Sequence, residues 1–343
     1  MRSSRAPAPL AVAALIAHHR PMLLRPDWAA ILLVATASGC TEADESPPLA
    51  SLAIQQVVFN GASNQFAGGF DPPNAPYGGF GGGNCVAIRT PVIFVHGNSV
   101  NATFIARPSS SGVPSVYDTL KAAGYNDCEL FGITYLSPSE QTTRQLNYHT
   151  STKAARIRDF ISAVKAYTGK SRVSILAHSM GVTVALHGIA YGNQWGSIET
   201  FVNVAGGLKG LVTCLAVGFA NPTFPACGSQ NVFDSNIFGF WPDGAAGASN
   251  PRTGTSAAVG FRREPERRPG VRFFTISGGS ADTTVAGAEA RFDSSAAVKA
   301  QLDVGIDHLS SFSNTGVIMA AMLSSSCTGT GCCAGYAGSC NNL

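Results

Sequence analysis

The sequence predicts an α/β fold, with a mostly parallel central sheet, helices on both faces and a single domain. Three observations predict it. Short apolar runs alternate with helical segments, the order that builds a parallel sheet through right-handed crossovers. The run VSILAHSMGVTVAL (Val173 to Leu186) reads as a buried strand turning sharply into a helix. With 45% hydrophobic residues in 343, the chain can bury a substantial core.

Taken in order, the chain opens on an export signal. Residues 28 to 39 (WAAILLVATASG) are apolar but too short to span a bilayer, and Arg20 and Arg25 lie on their N-terminal side. A signal peptide over residues 1–39 is therefore expected, with Met22 as an alternative start. Two processing sites compete: Ala35-Thr36-Ala37 suits ordinary release, whereas Ala37-Ser38-Gly39-Cys40 is an imperfect lipobox whose Cys40 could be acylated. The expected location is extracellular, either released or anchored to the outer membrane as a lipoprotein. Residues 40–60 form a linker whose first part (TEADESPPLA) is acidic and carries prolines. The catalytic domain is expected over 61–343.

Residues 61 to 84 are read as loop, since GGFGGGN lacks the lysine and the strand-to-helix setting of a phosphate loop. PVIFVHGNS (Pro91 to Ser99) is a buried strand, residues 114 to 124 a helix stopped by Gly124, and CELFGITYL (Cys128 to Leu136) a further strand. In Thr150 to Lys170, Ala154, Ile157, Phe160, Ile161, Val164 and Tyr167 share one helical face between a Ser/Thr cap and Gly169. Ser197 to Gly207 and Val271 to Ser277 supply two more strands, and Asp293 and Asp303 flank an expected helix.

The strand-to-helix turn at Ser179 carries the chemistry. Small residues at 177 and 181 let strand and helix approach while the backbone at the serine takes a strained conformation that exposes its hydroxyl, the geometry of a nucleophile elbow. A serine hydroxyl needs a histidine to take its proton and a carboxylate to fix that histidine's tautomer. In the α/β-hydrolase arrangement the order is Ser, Asp or Glu, His. Two histidines follow Ser179. His187 lies eight residues along the elbow helix, about 12 Å away at a rise of 1.5 Å per residue, which leaves His308.

Among the intervening carboxylates Asp282 is favoured, because it closes the loop SGGSAD directly after the strand VRFFTIS. Asp307, adjacent to His308, is the alternative. The oxyanion donors are expected to be the backbone N–H of Met180, at the helix N-terminus, and that of Asn98, which follows Gly97. His96 and His178 are read as hydrogen-bonding neighbouring loop backbone, and His149 as a capping or surface residue.

With 23 Lys and Arg against 20 Asp and Glu, the net charge of +3 gives no case for nucleic acid. Nine cysteines become eight if Cys40 carries a lipid, an even number suited to disulfides in an oxidising compartment. The expected pairs are Cys85 with Cys128, Cys214 with Cys227, and one drawn from Cys327, Cys332, Cys333 and Cys340, although spacing alone does not set connectivity. Adjacent Cys332 and Cys333 lack zinc-site spacing. No metal or cofactor is expected, and the chain is expected to act as a monomer.

The stretches YGGFGGGNC, TPVIFVHGN, GYNDCELFGITYLSPSEQ, NYHTSTKAA, VKAYTGKS, AHSMGV, CGSQN and SNTG together run over most of residues 65 to 325. Through them the chain resembles the extracellular depolymerases that attack native, amorphous poly(3-hydroxybutyrate), within the class 2 bacterial lipase group. The resemblance implies an α/β-hydrolase fold, with Ser179, Asp282 and His308 as nucleophile, acid and base, and the Asn98 and Met180 amides as oxyanion hole. It implies a polyester substrate; a lipase or esterase acting on short acylglycerols is the second reading, and a catalytically silent binding protein on the same scaffold the third. Phe233, Ile237, Phe238, Phe240 and Trp241 could form an aromatic platform for such a polymer or could be ordinary packing beneath a long loop.

Overall fold

In the computed structural model, residues 63–109, 112–147, 149–211, 213–218, 221–227, 240, 265, 268–324 and 327–343 are described. The expected signal peptide, Cys40 and linker lie outside them, as do Phe233, Ile237, Phe238 and Trp241. Among the described residues no helix is long and apolar enough to cross a membrane.

Eight strands make one sheet: β1 (Gly79–Phe80), β2 (Val92–Val95), β3 (Leu130–Ile133), β4 (Val173–His178), β5 (Ile198–Val204), β6 (Arg272–Ser277), β7 (Val298–Asp303) and β8 (Asn341–Asn342). Their order is β1-β3-β2-β4-β5-β6-β7-β8. The inner six run parallel, while the two-residue end strands pair antiparallel. The sheet is thus of the α/β-hydrolase type, with β4 near its centre.

Strand periodicity sorts the apolar runs onto two faces. Ile93, Val95, Ile175, Ala177, Phe201 and Phe273 point to one core. Val92, Phe94, Leu176, Val202, Val204, Phe274 and Ile276 point to the other. Helices α3 (Ser151–Thr168) and α4 (Met180–Tyr191) cover the first core through Ile157, Phe160, Ile161, Val182 and Leu186. Helix α1 (Val116–Ala122) and the C-terminal helix Gly316–Leu323 cover the second through Tyr117, Leu120, Ile318 and Met322. The Thr150 hydroxyl caps α3 by accepting from the Lys153 N–H, and left-handed Gly169 ends it, as the sequence implied.

Three expectations are corrected. Residues 298–303 form β7 and not part of a helix: Ala300 and Leu302 are buried on one face, while Gln301 hydrogen-bonds the backbone N–H and C=O of Phe292. The glycine-rich stretch before Cys85 is not wholly loop, since Gly79–Phe80 pairs with β3, and a Cβ on Gly79 would stand 2.1 Å from the Gly132 carbonyl oxygen. His149 is neither a cap nor a surface residue. It is fully buried, hydrogen-bonds the Thr183 hydroxyl and meets the Phe240 ring edge to face.

Four disulfides are present: Cys85–Cys128, Cys214–Cys227, Cys327–Cys332 and Cys333–Cys340. The C-terminal quartet forms two local pairs where one was expected. Four disulfides suit an oxidising compartment.

Candidate active site

Ser179 stands between β4 and α4 with φ 55° and ψ −128°, a strained conformation for a residue with a side chain. Its neighbours hold it there. The Ser179 N–H donates to the Val204 carbonyl of the adjacent strand at 2.9 Å. Gly181 lets α4 press against β2, since a Cβ at that position would lie 2.3 Å from the His96 carbonyl oxygen and 2.5 Å from that of Val95. Met180 is the first residue of α4, so its N–H has no acceptor within the helix.

Asp282 lies beyond the end of β6, after the short turn Gly279–Ala281. Its side chain is fully buried, and Oδ1 accepts the N–H groups of Thr284 and Val285 at 2.8 and 2.9 Å. Burial alone would raise its pKa. The bond from His308 and the backbone donors outweigh burial and hold the carboxyl below its ordinary range, so it is ionised at neutral pH.

His308 follows β7 in a loop. Its Nδ1 donates to Asp282 Oδ2 at 2.7 Å, and its Nε2 lies 2.8 Å from Ser179 Oγ. An ionised carboxylate can only accept, so the proton sits on Nδ1 and Nε2 is left free to accept from the serine hydroxyl. The structure thus brings Ser179, His308 and Asp282 into one hydrogen-bonded chain. Asp307 serves its own loop instead, accepting the N–H groups of Leu309 and Ser310 at 3.1 Å.

The side chain of Asn98, a residue that lines the site, is occupied. Its Oδ1 accepts from the Ser99 N–H and from Asn147 Nδ2, and its Nδ2 donates to the Arg144 carbonyl. Buried Asn147 also donates to the Glu140 carbonyl at 2.6 Å. This clamp was not foreseen: its two asparagines lie 49 positions apart, and nothing in the sequence signals the contact.

His96 and His178 do hydrogen-bond loop backbone. His96 Nδ1 donates to the Gly97 carbonyl, leaving Nε2 to accept the Tyr135 N–H. Burial pushes its pKa down to about 4. Burial, followed by the nearby His308 charge, pushes His178 down to about 3. Both rings are therefore neutral at physiological pH.

A pocket of about 540 Å³ opens onto Ser179 and His308, with Asn98 and Met180 in its lining and Leu211, Phe240, Val285 and Leu309 among its apolar walls. Of the five residues that could have made an aromatic platform, Phe240 is thus a described wall of this pocket. Cys214–Cys227 staples the segment that carries lining residues Thr213 and Ala226.

The family described as lipase (class 2) matches residues 89–239. Among solved structures, the mature Bacillus licheniformis lipase BlEst2 is similar at 14% identity, over 70% of this chain and 95% of that one, with a TM-score of 0.47. Aspergillus fumigatus lipase B is similar at 16% identity over 71% of this chain, with a TM-score of 0.46, and the chain spans about half of its length, 54%. The carboxylesterase CesB of Bacillus subtilis is similar at 10% identity, over 68% of this chain and 81% of that one, with a TM-score of 0.36. No curated protein matches. Residues 89–239 match the class 2 lipase family, and that likeness supports a carboxylic ester hydrolase.

Proposed function

We propose that the chain is an exported serine hydrolase whose nucleophile, base and acid are Ser179, His308 and Asp282. The observation that carries this reading is the hydrogen-bonded chain from Asp282 through His308 to the Ser179 hydroxyl, with Ser179 and His308 lining an apolar pocket. His308 Nε2 takes the serine proton as Oγ attacks the ester carbonyl, and ionised Asp282 stabilises the imidazolium that forms. The negative charge on the carbonyl oxygen is met by the Asn98 and Met180 amides, the second reinforced by the N-terminal dipole of α4. His308 then protonates the leaving alcohol, the acyl group remains on Ser179, and water activated by the same histidine releases it.

The proposed substrate is poly(3-hydroxybutyrate) or a related short-chain polyhydroxyalkanoate. In support, Leu309 lines the pocket and is exposed, and the exposed Leu146, Leu215 and Phe224 lie within two residues of the lining residues Arg144, Thr213 and Ala226. The second reading, hydrolysis of short acylglycerols, is favoured by the class 2 lipase match. Export is supported by the four disulfides, and the mature chain begins either after a released signal peptide or at an acylated Cys40.

The test begins with a serine-directed phosphonate, expected to label the protein stoichiometrically and to lose its target in Ser179→Ala. A labelled Ser179→Ala protein, or a wild type that never labels, overturns the triad and leaves the binding-protein reading. Ser179→Ala is expected to lower kcat by about 10⁴- to 10⁶-fold. Clearing of amorphous polymer granules, set against hydrolysis of p-nitrophenyl esters and tributyrin, separates the two substrate readings; activity on small esters alone sinks the polymer. Mass spectrometry of the mature N-terminus decides between release and a lipid on Cys40.

A further inference from the structure

His178 is a buried titratable side chain that the chemistry above leaves unused, yet it adjoins both the nucleophile and the base of the proposed triad. Its backbone leads directly into Ser179, and its ring lies 4.9 Å from that of His308. The ring is 2% exposed and packs against Phe104 at 5.9 Å and Phe312 at 5.3 Å. His178 Nε2 lies 3.0 Å from the backbone carbonyl oxygen of His308. A carbonyl only accepts, so Nε2 carries the hydrogen and Nδ1 of the neutral ring is bare. That Nδ1 is buried with no hydrogen-bond partner.

A phenyl ring would fill the same slot between Phe104 and Phe312 without orphaning a lone pair. What an imidazole adds is the single bond from Nε2–H to the His308 carbonyl, which joins the end of β4 to a loop 130 residues further on. The same carbonyl accepts from the Ser311 hydroxyl at 2.8 Å, but Ser311 travels with that loop and cannot fix it to the sheet. Asp282 orients the His308 ring, yet Asp282 sits on a loop of its own. The His178 bond therefore refers the backbone of the base directly to the strand that carries the nucleophile.

We propose that His178 is a positioning residue for ester hydrolysis: its Nε2–H, donated to the His308 carbonyl, sets the reach of the His308 ring to Ser179 Oγ. The proposal rests on the reading of Ser179 and His308 as nucleophile and base. A misplacement of about 1 Å at a reacting group costs on the order of 100-fold in rate. The effect should fall on kcat and not on KM, because His178 does not line the pocket.

The test compares His178→Phe, which keeps the packing and removes the donor, with His178→Gln, whose side-chain amide can donate from a similar position. Steady-state kinetics on p-nitrophenyl butyrate, phosphonate labelling rates and Tm are measured for each. The Phe variant is expected to lose about 10- to 100-fold in kcat and in labelling rate, with KM and Tm close to wild type, and the Gln variant to recover most of that loss. Should the phenyl ring not fit, His178→Met supplies an apolar filler for the same comparison. Wild-type kcat in the Phe or Met variant overturns the proposal. Equal losses in the Phe and Gln variants that track a fall in Tm also overturn it, in favour of a purely structural role. A wild type that is not labelled at Ser179 removes the triad reading beneath it, and so is distinguishable from either result.

Discussion

Ser179 and His308 meet at 2.8 Å but are held there by opposite means. The serine is fixed by backbone: a strand, a strained residue and a helix that follow one another in sequence, locked by its N–H bond to Val204 and by the bare faces of Gly97 and Gly181. The histidine is fixed by bonds from remote segments, with Asp282 on its ring and His178 on its carbonyl. A nucleophile built this way tolerates the loss of any one distant side chain. A base assembled from separate loops is only as well placed as each bond that reaches it.

The sharpest way to test that contrast is Asp282→Asn. The amide cannot hold the proton on His308 Nδ1 as an ionised carboxylate does, while the elbow keeps its geometry. The expected result is a fall of about 10⁴-fold in kcat with the fold intact by circular dichroism. A loss below about tenfold would mean that the base is oriented by something other than this carboxylate.

The same contrast explains what could be read in the sequence. Val173 to Leu186 announces strand, turn and helix within fourteen consecutive residues, and the dihedral angles at Ser179 agree with it. That Asp282 and His308 would meet Ser179 was legible, Asp282 because it closes a short loop after an apolar strand and His308 because helix geometry removes His187. Strand β7 was not, because in Val298–Asp303 only Ala300 and Leu302 are buried, and Gln301 between them finds its partner in Phe292 of another segment. His149 was misread for a related reason: its burial depends on Phe240, 91 residues away, and on Thr183 of α4. End strands of two residues carry no periodicity, and clustered cysteines do not encode their own pairing.

Acid should weaken the region around the nucleophile first. His96 and His178 are buried neutral rings with pKa values lowered to about 4 and about 3, whereas an unfolded histidine titrates near 6.5. Below that unfolded value the denatured chain binds protons that the folded chain refuses, so stability falls as pH drops, by about 1.4 kcal/mol per pH unit for each ring. Asp282 acts in the same direction in a lower window: its stabilisation is present above the ordinary carboxylate range and is lost as pH falls through its lowered value. Urea unfolding at pH 7, 6 and 5 should show the decline, and His178→Gln should make it shallower. A stability that is flat across this range would show that the rings are protonated in the folded protein.

Gly181→Val attacks the serine's backbone lock. The added Cβ meets the carbonyl oxygens of Val95, the last residue of β2, and of His96 just beyond it, which are main chain and cannot rotate away. Overpacking of this kind costs about 1–3 kcal/mol. The expected reading is a lowered Tm together with slowed labelling of Ser179, since α4 must move off the strand to accommodate the side chain. A lowered Tm with an unchanged labelling rate would show that the elbow does not depend on this approach.

Asn98→Ala carries the smallest expected effect and separates two ways of making an oxyanion hole. If the side-chain amide were the donor, its removal would cost about 10²- to 10³-fold in kcat. Here the side chain is engaged with Arg144, Asn147 and Ser99, and the backbone N–H proposed as the donor survives substitution by alanine. The loss should therefore stay near tenfold, reflecting a loop that has lost its clamp. Asn147→Ala, which removes the other half of that clamp without touching the pocket lining, should show a loss of the same size. The double variant should be little worse than either single one, because two groups that act through one hydrogen bond are not additive.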